Sequence, residues 1–87
     1  MITIYSKPQC PHCVAAKSYL SRNDIPFREV NVMADENALN FLKSRGHKTV
    51  PQLYVGDTLF VEGGNAALHA MTPDAIRARL AELSGNA

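Results

Sequence analysis

Two cysteines three residues apart, Cys10-Pro11-His12-Cys13, lie where an alternating segment gives way to a helical one. Ahead of them Ile2 and Ile4 alternate with Thr3 and Tyr5, the period of a half-buried strand, and Ser6-Lys7-Pro8-Gln9 breaks the pattern. Residues 2–6 therefore read as a strand. Behind the pair, Cys13, Ala16 and Leu20 fall at i, i+3 and i+7, one stripe on a helix, while Lys17 and Arg22 fall elsewhere. Pro11 suits the first helical turn, where its missing N–H is not needed. The helix runs from Pro11 to about Arg22, and Asn23-Asp24-Ile25-Pro26 ends it.

The rest of the chain continues this alternation of periods. Phe27 to Val32 is β-rich and predicts a second strand. Asp35-Glu36 places acid at the start of a second helix, as the helix dipole favours. Leu39 and Leu42, flanked by Ala38 and Phe41, form its apolar face, and Arg45-Gly46 ends it with a basic last turn and a glycine cap. Leu53 to Val55 and Thr58 to Glu62 read as two strands joined at Gly56-Asp57, hence a hairpin. After Gly63-Gly64 a short helix spans Asn65 to Ala70. Thr72-Pro73-Asp74 then supplies a cap, a proline and an acid for a last helix carrying Ile76, Leu80 and Leu83, stopped by Gly85.

The order β-α-β-α-β-β-α-α makes the first two strands parallel neighbours across a right-handed helical crossover and the last two an antiparallel pair. Helices on both faces of such a mixed sheet give a three-layer α/β/α sandwich around four strands. The chain has 87 residues, so we expect one domain over 1–87. With 46% apolar and 20% charged residues it reads as an ordinary soluble globule. The formal net charge of +1 excludes the electrostatic footprint of a nucleic-acid binder or a polybasic membrane binder. No apolar run is long enough to span a bilayer, and Met1-Ile2-Thr3-Ile4-Tyr5 lacks the character of a signal peptide, so a cytoplasmic location is expected.

The first N–H groups of a helix have no intrahelical partner and, with the helix dipole, favour negative charge. Cys10 enters such a start, so its thiol should ionise more readily than a free cysteine, and the thiolate is the nucleophile. Lys7 adds positive charge nearby. Cys13 falls one turn further in on the inward face. An exposed attacker and a more buried partner are what dithiol exchange requires: Cys10 forms a mixed disulfide and Cys13 resolves it. A zinc site would need two more ligands, and the chain has no second C-x-x-C and no H-x3–5-H; His47 and His69 stand apart. Redox chemistry is the reading that the spacing near a β-α-β pattern supports. His12 either tunes Cys10 or touches a substrate, or is simply a solvated polar residue. Lys17 reads as part of a solvated helix face. From these residues alone, Thr49-Val50-Pro51 is a loop with proline at a strand's first position.

Taken together, four features resemble the glutaredoxins, of the thioredoxin fold: the opening strand with Lys7-Pro8-x-Cys10-Pro11-x-Cys13; Ala16-Lys17-x-x-Leu20; Thr49-Val50-Pro51-Gln52-Leu53; and Gly63-Gly64 after the hairpin. The resemblance implies that Cys10 is the nucleophile and Cys13 the resolving cysteine. It implies a cis peptide before Pro51, with the Val50 backbone pairing to a bound cysteinyl peptide like an added strand. It implies that Lys7 and Gln52 meet the glycine-end carboxylate of glutathione, and that Gly63 and Gly64 let the chain turn close to the ligand. Thr49, His12 and Asn65 complete the binding surface. The chain departs from the family at Asn65-Ala66-Ala67, where a polar or acidic pair commonly binds the γ-glutamyl end, and at His12, where tyrosine is common.

On this resemblance the chain would be a glutathione-dependent thiol-disulfide oxidoreductase, with glutathione as reducing co-substrate and no permanently bound cofactor. It would act as a monomer on protein disulfides and glutathione mixed disulfides, with ribonucleotide reductase among the possible clients. One alternative is a redoxin dedicated to ribonucleotide reductase and recycled by thioredoxin reductase; such proteins usually carry a Trp-Ser-Gly-Phe-type segment where this chain has Glu62-Gly63-Gly64-Asn65. Another is an iron–sulfur cluster carrier, against which Pro11 and Cys13 argue, since such members are commonly monothiol.

Overall fold

The computed structural model describes residues 1–84. Four strands, β1 (Ile2–Ser6), β2 (Phe27–Asn31), β3 (Gln52–Val55) and β4 (Thr58–Leu59), form one sheet in the order β2-β1-β3-β4. β1 runs parallel to β2 and antiparallel to β3, and β3 pairs antiparallel with β4. The helices are α1 (Pro11–Arg22), α2 (Glu36–Ser44), α3 (Gly64–His69) and α4 (Pro73–Leu83).

Strand alternation divides the core into two layers. Ile2, Ile4 and Leu53 point to one face and pack with Ala16 and Leu20 of α1, Leu68 of α3 and Ile76 of α4. Tyr5 and Tyr54 point to the other face, where Ala38 and Leu42 of α2 cover them. The expected three-layer α/β/α sandwich is therefore present, with α2 alone on its side of the sheet.

Local chemistry sets the helix ends. Asp35 accepts from Ala38 N–H at 3.1 Å and Thr72 Oγ1 from Ala75 N–H at 3.1 Å, capping α2 and α4. At the far end of α2, Gly46 takes φ +80°, and two bonds close the turn: His47 N–H to Leu42 O at 3.0 Å and Gly46 N–H to Lys43 O at 3.0 Å. That reversal aims residues 47–51 back toward the cysteine pair.

The boundaries differ from the sequence reading in four places. β2 ends at Asn31 rather than Val32, because Asn31 Oδ1 accepts from Met33 N–H at 2.8 Å and turns the chain. β3 begins one residue early, at Gln52, which pairs with Tyr5. α3 spans Gly64–His69 rather than Asn65 to Ala70. β4 stops at Leu59 rather than Glu62. Phe60 N–H still bonds Leu53 O at 2.8 Å, but Arg79 of α4 donates to Phe60 O at 2.9 Å and to Leu59 O at 3.3 Å. A side chain from α4 thus occupies carbonyls at the end of the strand. The stop expected at Gly85 lies outside the described residues.

Leu20 is wholly buried between α1 and the sheet. Leu20→Ala is expected to cost about 3 kcal/mol. Urea titration should show the midpoint falling with an unchanged slope; a shift worth less than about 1 kcal/mol would mean that α1 is not anchored through this residue.

Candidate active site

The site begins with the cap of α1. Pro11 occupies the first helical position and has no N–H, so the donors free at this end are those of the next residues. Cys10 is the N-cap, and its Sγ accepts from Cys13 N–H at 3.3 Å. On the other side Sγ lies 3.9 Å from Val50 O, to which the thiol donates. Ionisation gives up the Val50 contact and keeps the N–H contacts.

Burial by itself would raise the Cys10 pKa. The Cys13 side chain, the backbone N–H groups of Cys13 and His12, and the Lys7 charge outweigh it, so the thiol lies below its ordinary value. Cys13 goes the other way, pushed up to about 11 by burial, by its hydrogen bond to Cys10 and by the Cys10 charge, against the opposing pull of Lys7 N–H and the Lys17 charge. The two thiols are free and differ in accessibility: Cys10 is 7% exposed and Cys13 1%. The order expected from the sequence holds, but Cys10 is not an exposed attacker. The Val50 carbonyl and the helix-start N–H groups face its sulfur from two sides.

The loop carrying Val50 is held from within. The Val50–Pro51 peptide is cis. Gln52, 7% exposed, donates Nε2 to Thr49 O at 2.9 Å, so this side chain braces the loop as well as lining the groove. Gly64 has φ +64°, and a Cβ there would stand 2.9 Å from Pro51 O. Only glycine permits that approach without a shift. Asn65 follows, its Oδ1 buried without a hydrogen-bond partner among the described residues.

A groove of about 400 Å3 gathers eight of the candidate residues: His12, Thr49, Val50, Pro51, Gln52, Gly63, Gly64 and Asn65. Ala66 also lines it, and no carboxylate does. Lys7 lines an adjoining cavity that shares Thr49 and Val50. His12 is exposed. His47 bonds the Tyr54 hydroxyl through Nε2 at 2.6 Å, and His69 stacks on Tyr19 at 4.4 Å between centroids.

The sequence reading missed a network behind Cys13. Lys17 Nζ lies 2.7 Å from Glu29 Oε2, which also accepts from the buried Ser6 hydroxyl at 2.7 Å. Lys17, 30% exposed, is therefore not simply part of a solvated face. The hydrogen bonds from Lys17 and Ser6 hold the Glu29 carboxyl below its usual range. The i, i+4 spacing of Cys13 and Lys17 was the available signal; nothing local marks Ser6 or Glu29.

Comparison with known proteins agrees with this geometry. The family model described as Glutaredoxin matches residues 2–60. The chain is 37% identical over 68 residues to "Glutaredoxin 1" of Rickettsia felis, covering 75% of this chain and 66% of that protein, so it spans about two thirds of that relative's length. Among solved structures it is similar to the glutaredoxin-like protein NrdH-redoxin of Escherichia coli, with TM-score 0.63 and 26% identity over 88% of this chain and 91% of that one. A buckwheat glutaredoxin–glutathione complex has TM-score 0.74 at 19% identity over 99% of this chain and 81% of that one, a likeness of fold.

Alkylation by iodoacetamide, located by mass spectrometry, is expected to follow a Cys10 ionisation below the free-thiol value of about 8.5, with Cys13 protected until pH approaches about 11. A Cys10 rate rising only near the free-thiol value would contradict the cap geometry. The two thiols also act oppositely on stability. The depressed Cys10 pKa contributes fully above the unfolded value and loses its effect as pH falls through the folded one. The raised Cys13 pKa contributes fully below the unfolded value and is lost as pH climbs through about 11.

Proposed function

The chain belongs to the glutaredoxin family, whose members are thiol-disulfide oxidoreductases, and from that premise we propose that it reduces protein disulfides and glutathione mixed disulfides in the cytoplasm, recycled by glutathione. The observation that carries the reading is the Cys10 sulfur itself, held at 3.3 Å by Cys13 N–H. The Cys10 thiolate attacks one sulfur of a disulfide, forms a mixed disulfide and expels a thiolate. Cys13 then attacks Cys10 Sγ, releasing the second client sulfur as a thiolate that takes up the Cys13 proton. Two glutathione thiols reopen the resulting Cys10–Cys13 disulfide and leave as glutathione disulfide.

The order of events is built into the pair. Two of the influences that raise the Cys13 pKa come from Cys10, its hydrogen bond and its charge. Both disappear once Cys10 is tied up in a mixed disulfide. Burial, the largest influence, remains, but the step that Cys13 must follow removes the other two and so eases its ionisation. Val50 offers its backbone to the substrate's cysteinyl residue, Lys7 and Gln52 serve the glycine-end carboxylate, and Asn65 lines the groove where the γ-glutamyl end, with its ammonium, would lie.

A second reading, in which a reductase replaces glutathione as electron donor and ribonucleotide reductase is the client, is favoured by two observations. The groove beside Gly63 and Gly64 is lined by Asn65 and Ala66 and has no carboxylate to neutralise that ammonium. The solved NrdH-redoxin is described as having a thioredoxin-like activity profile.

Cys10→Ser is expected to abolish turnover of every disulfide. Cys13→Ser should spare glutathione mixed disulfides, where a second glutathione resolves the intermediate, and lose most activity on protein disulfides; equal loss in both assays would overturn the division of roles. In a coupled assay, glutathione with its reductase should sustain turnover. Turnover with thioredoxin reductase alone, and none with glutathione, would replace the first reading with the second.

A further inference from the structure

Beyond Val50, on the side away from the glycine pair, lies a cavity of about 380 Å3 of which the proposed reaction uses only the rim formed by Lys7, Thr49 and Val50. Its floor is apolar: Val32, Leu39 and Leu42, part of the core layer that α2 builds against the sheet. Met33 stands at its lip, 70% exposed. Three lysines line it, Lys7, Lys43 and Lys48, and no carboxylate does. Among the described residues the ion pairs are Lys17–Glu29 and Arg77–Asp74, so none of these three ammonium groups has a carboxylate partner. In a chain whose formal charge is only +1, this is a concentrated local excess.

The cavity starts at the reacting atom. Val50 lines it, and Val50 O lies 3.9 Å from Cys10 Sγ. A chain whose cysteine sits on Cys10 and which pairs with the Val50 backbone therefore runs past the mouth of this cavity. Glutathione has carboxylates for the lysines but no apolar side chain for Val32, Leu39 and Leu42. A site with both an apolar floor and an unpaired cationic rim is complementary to a polypeptide with both features.

We propose that this cavity is the docking surface for protein clients, and that it selects a segment in which an apolar side chain flanked by Asp or Glu lies within a few residues of the target cysteine. The proposal rests on Cys10 being the attacking thiol. The apolar side chain supplies burial and the lysines supply orientation and encounter rate, so the preference weakens with added salt.

The test uses the reduced full-length protein and synthetic peptides, each dimerised through one central cysteine, with flanks Leu-Glu-Glu, Leu-Lys-Lys or Ser-Glu-Glu placed on either side in separate peptides. Bis(2-hydroxyethyl) disulfide serves as the small reference substrate. The Leu-Glu-Glu peptide is expected to be reduced about fivefold faster than either other peptide in at least one placement. Lys43→Glu should remove that advantage and favour the Leu-Lys-Lys peptide, and Met33→Asp should slow the Leu-Glu-Glu peptide. Both variants should reduce the reference disulfide at the wild-type rate. Equal rates on all flanks in both placements, or variants that slow peptide and reference alike, would overturn the docking surface. Failure of the wild-type protein to reduce even the reference disulfide would overturn the redox reading on which it rests.

Discussion

Residues 12 and 13 present backbone donors at the start of α1 that the helix cannot satisfy internally, and the acceptor they meet is a sulfur. Most helices take an oxygen at this position. Here the capping atom and the reacting atom are the same, so the geometry that begins the helix also sets the ionisation of Cys10. A thiolate is a better acceptor than a thiol, and folding and thiolate formation therefore favour one another. The placement of Cys13 one turn inward follows from the same helix, and so does its opposite displacement in pKa.

The sheet serves this cap from both sides. α1, α3 and α4 share one core layer and α2 holds the other, yet each layer sends a loop to the same point. The reversal at Gly46 returns the chain from the α2 layer toward Val50 and Pro51, and Gly64 brings the opposite layer within contact of Pro51 O. The cysteine pair thus lies between an apolar, lysine-rimmed cavity and a groove of small side chains. Thr49 and Val50 border both.

Much of this was legible because its causes are local. The alternation of Ile2 and Ile4 with Thr3 and Tyr5 marks β1. Pro11, Asp35 and Thr72 mark three helix starts, and the caps Cys10, Asp35 and Thr72 are each found bonded to their own first turn. Most of what was misread about the site and the sheet edge depends on residues distant in the chain, although the early end of β2 comes from the local Asn31–Met33 contact. Thr58 to Glu62 has the composition of a longer strand, and Arg79 supplies the contact at its end. Cys10 was expected at the surface because no neighbour in sequence covers it; the Val50 carbonyl comes from forty residues away. Lys17 has the look of a solvated residue until β1 and β2 bring Ser6 and Glu29 beneath it.

Arg79 has a consequence for how the molecule behaves in a crowded solution. A sheet's outer strand is an open template, and bare carbonyls there invite the backbone of another molecule. At the β4 end the guanidinium fills the acceptors of Leu59 and Phe60 and sets a positive charge beside them. The same contact that shortens the strand makes that rim a poor seed for edge-to-edge growth. The β4 margin is thus blunted by a charge supplied from another element, one of the ways in which edge strands are kept from pairing.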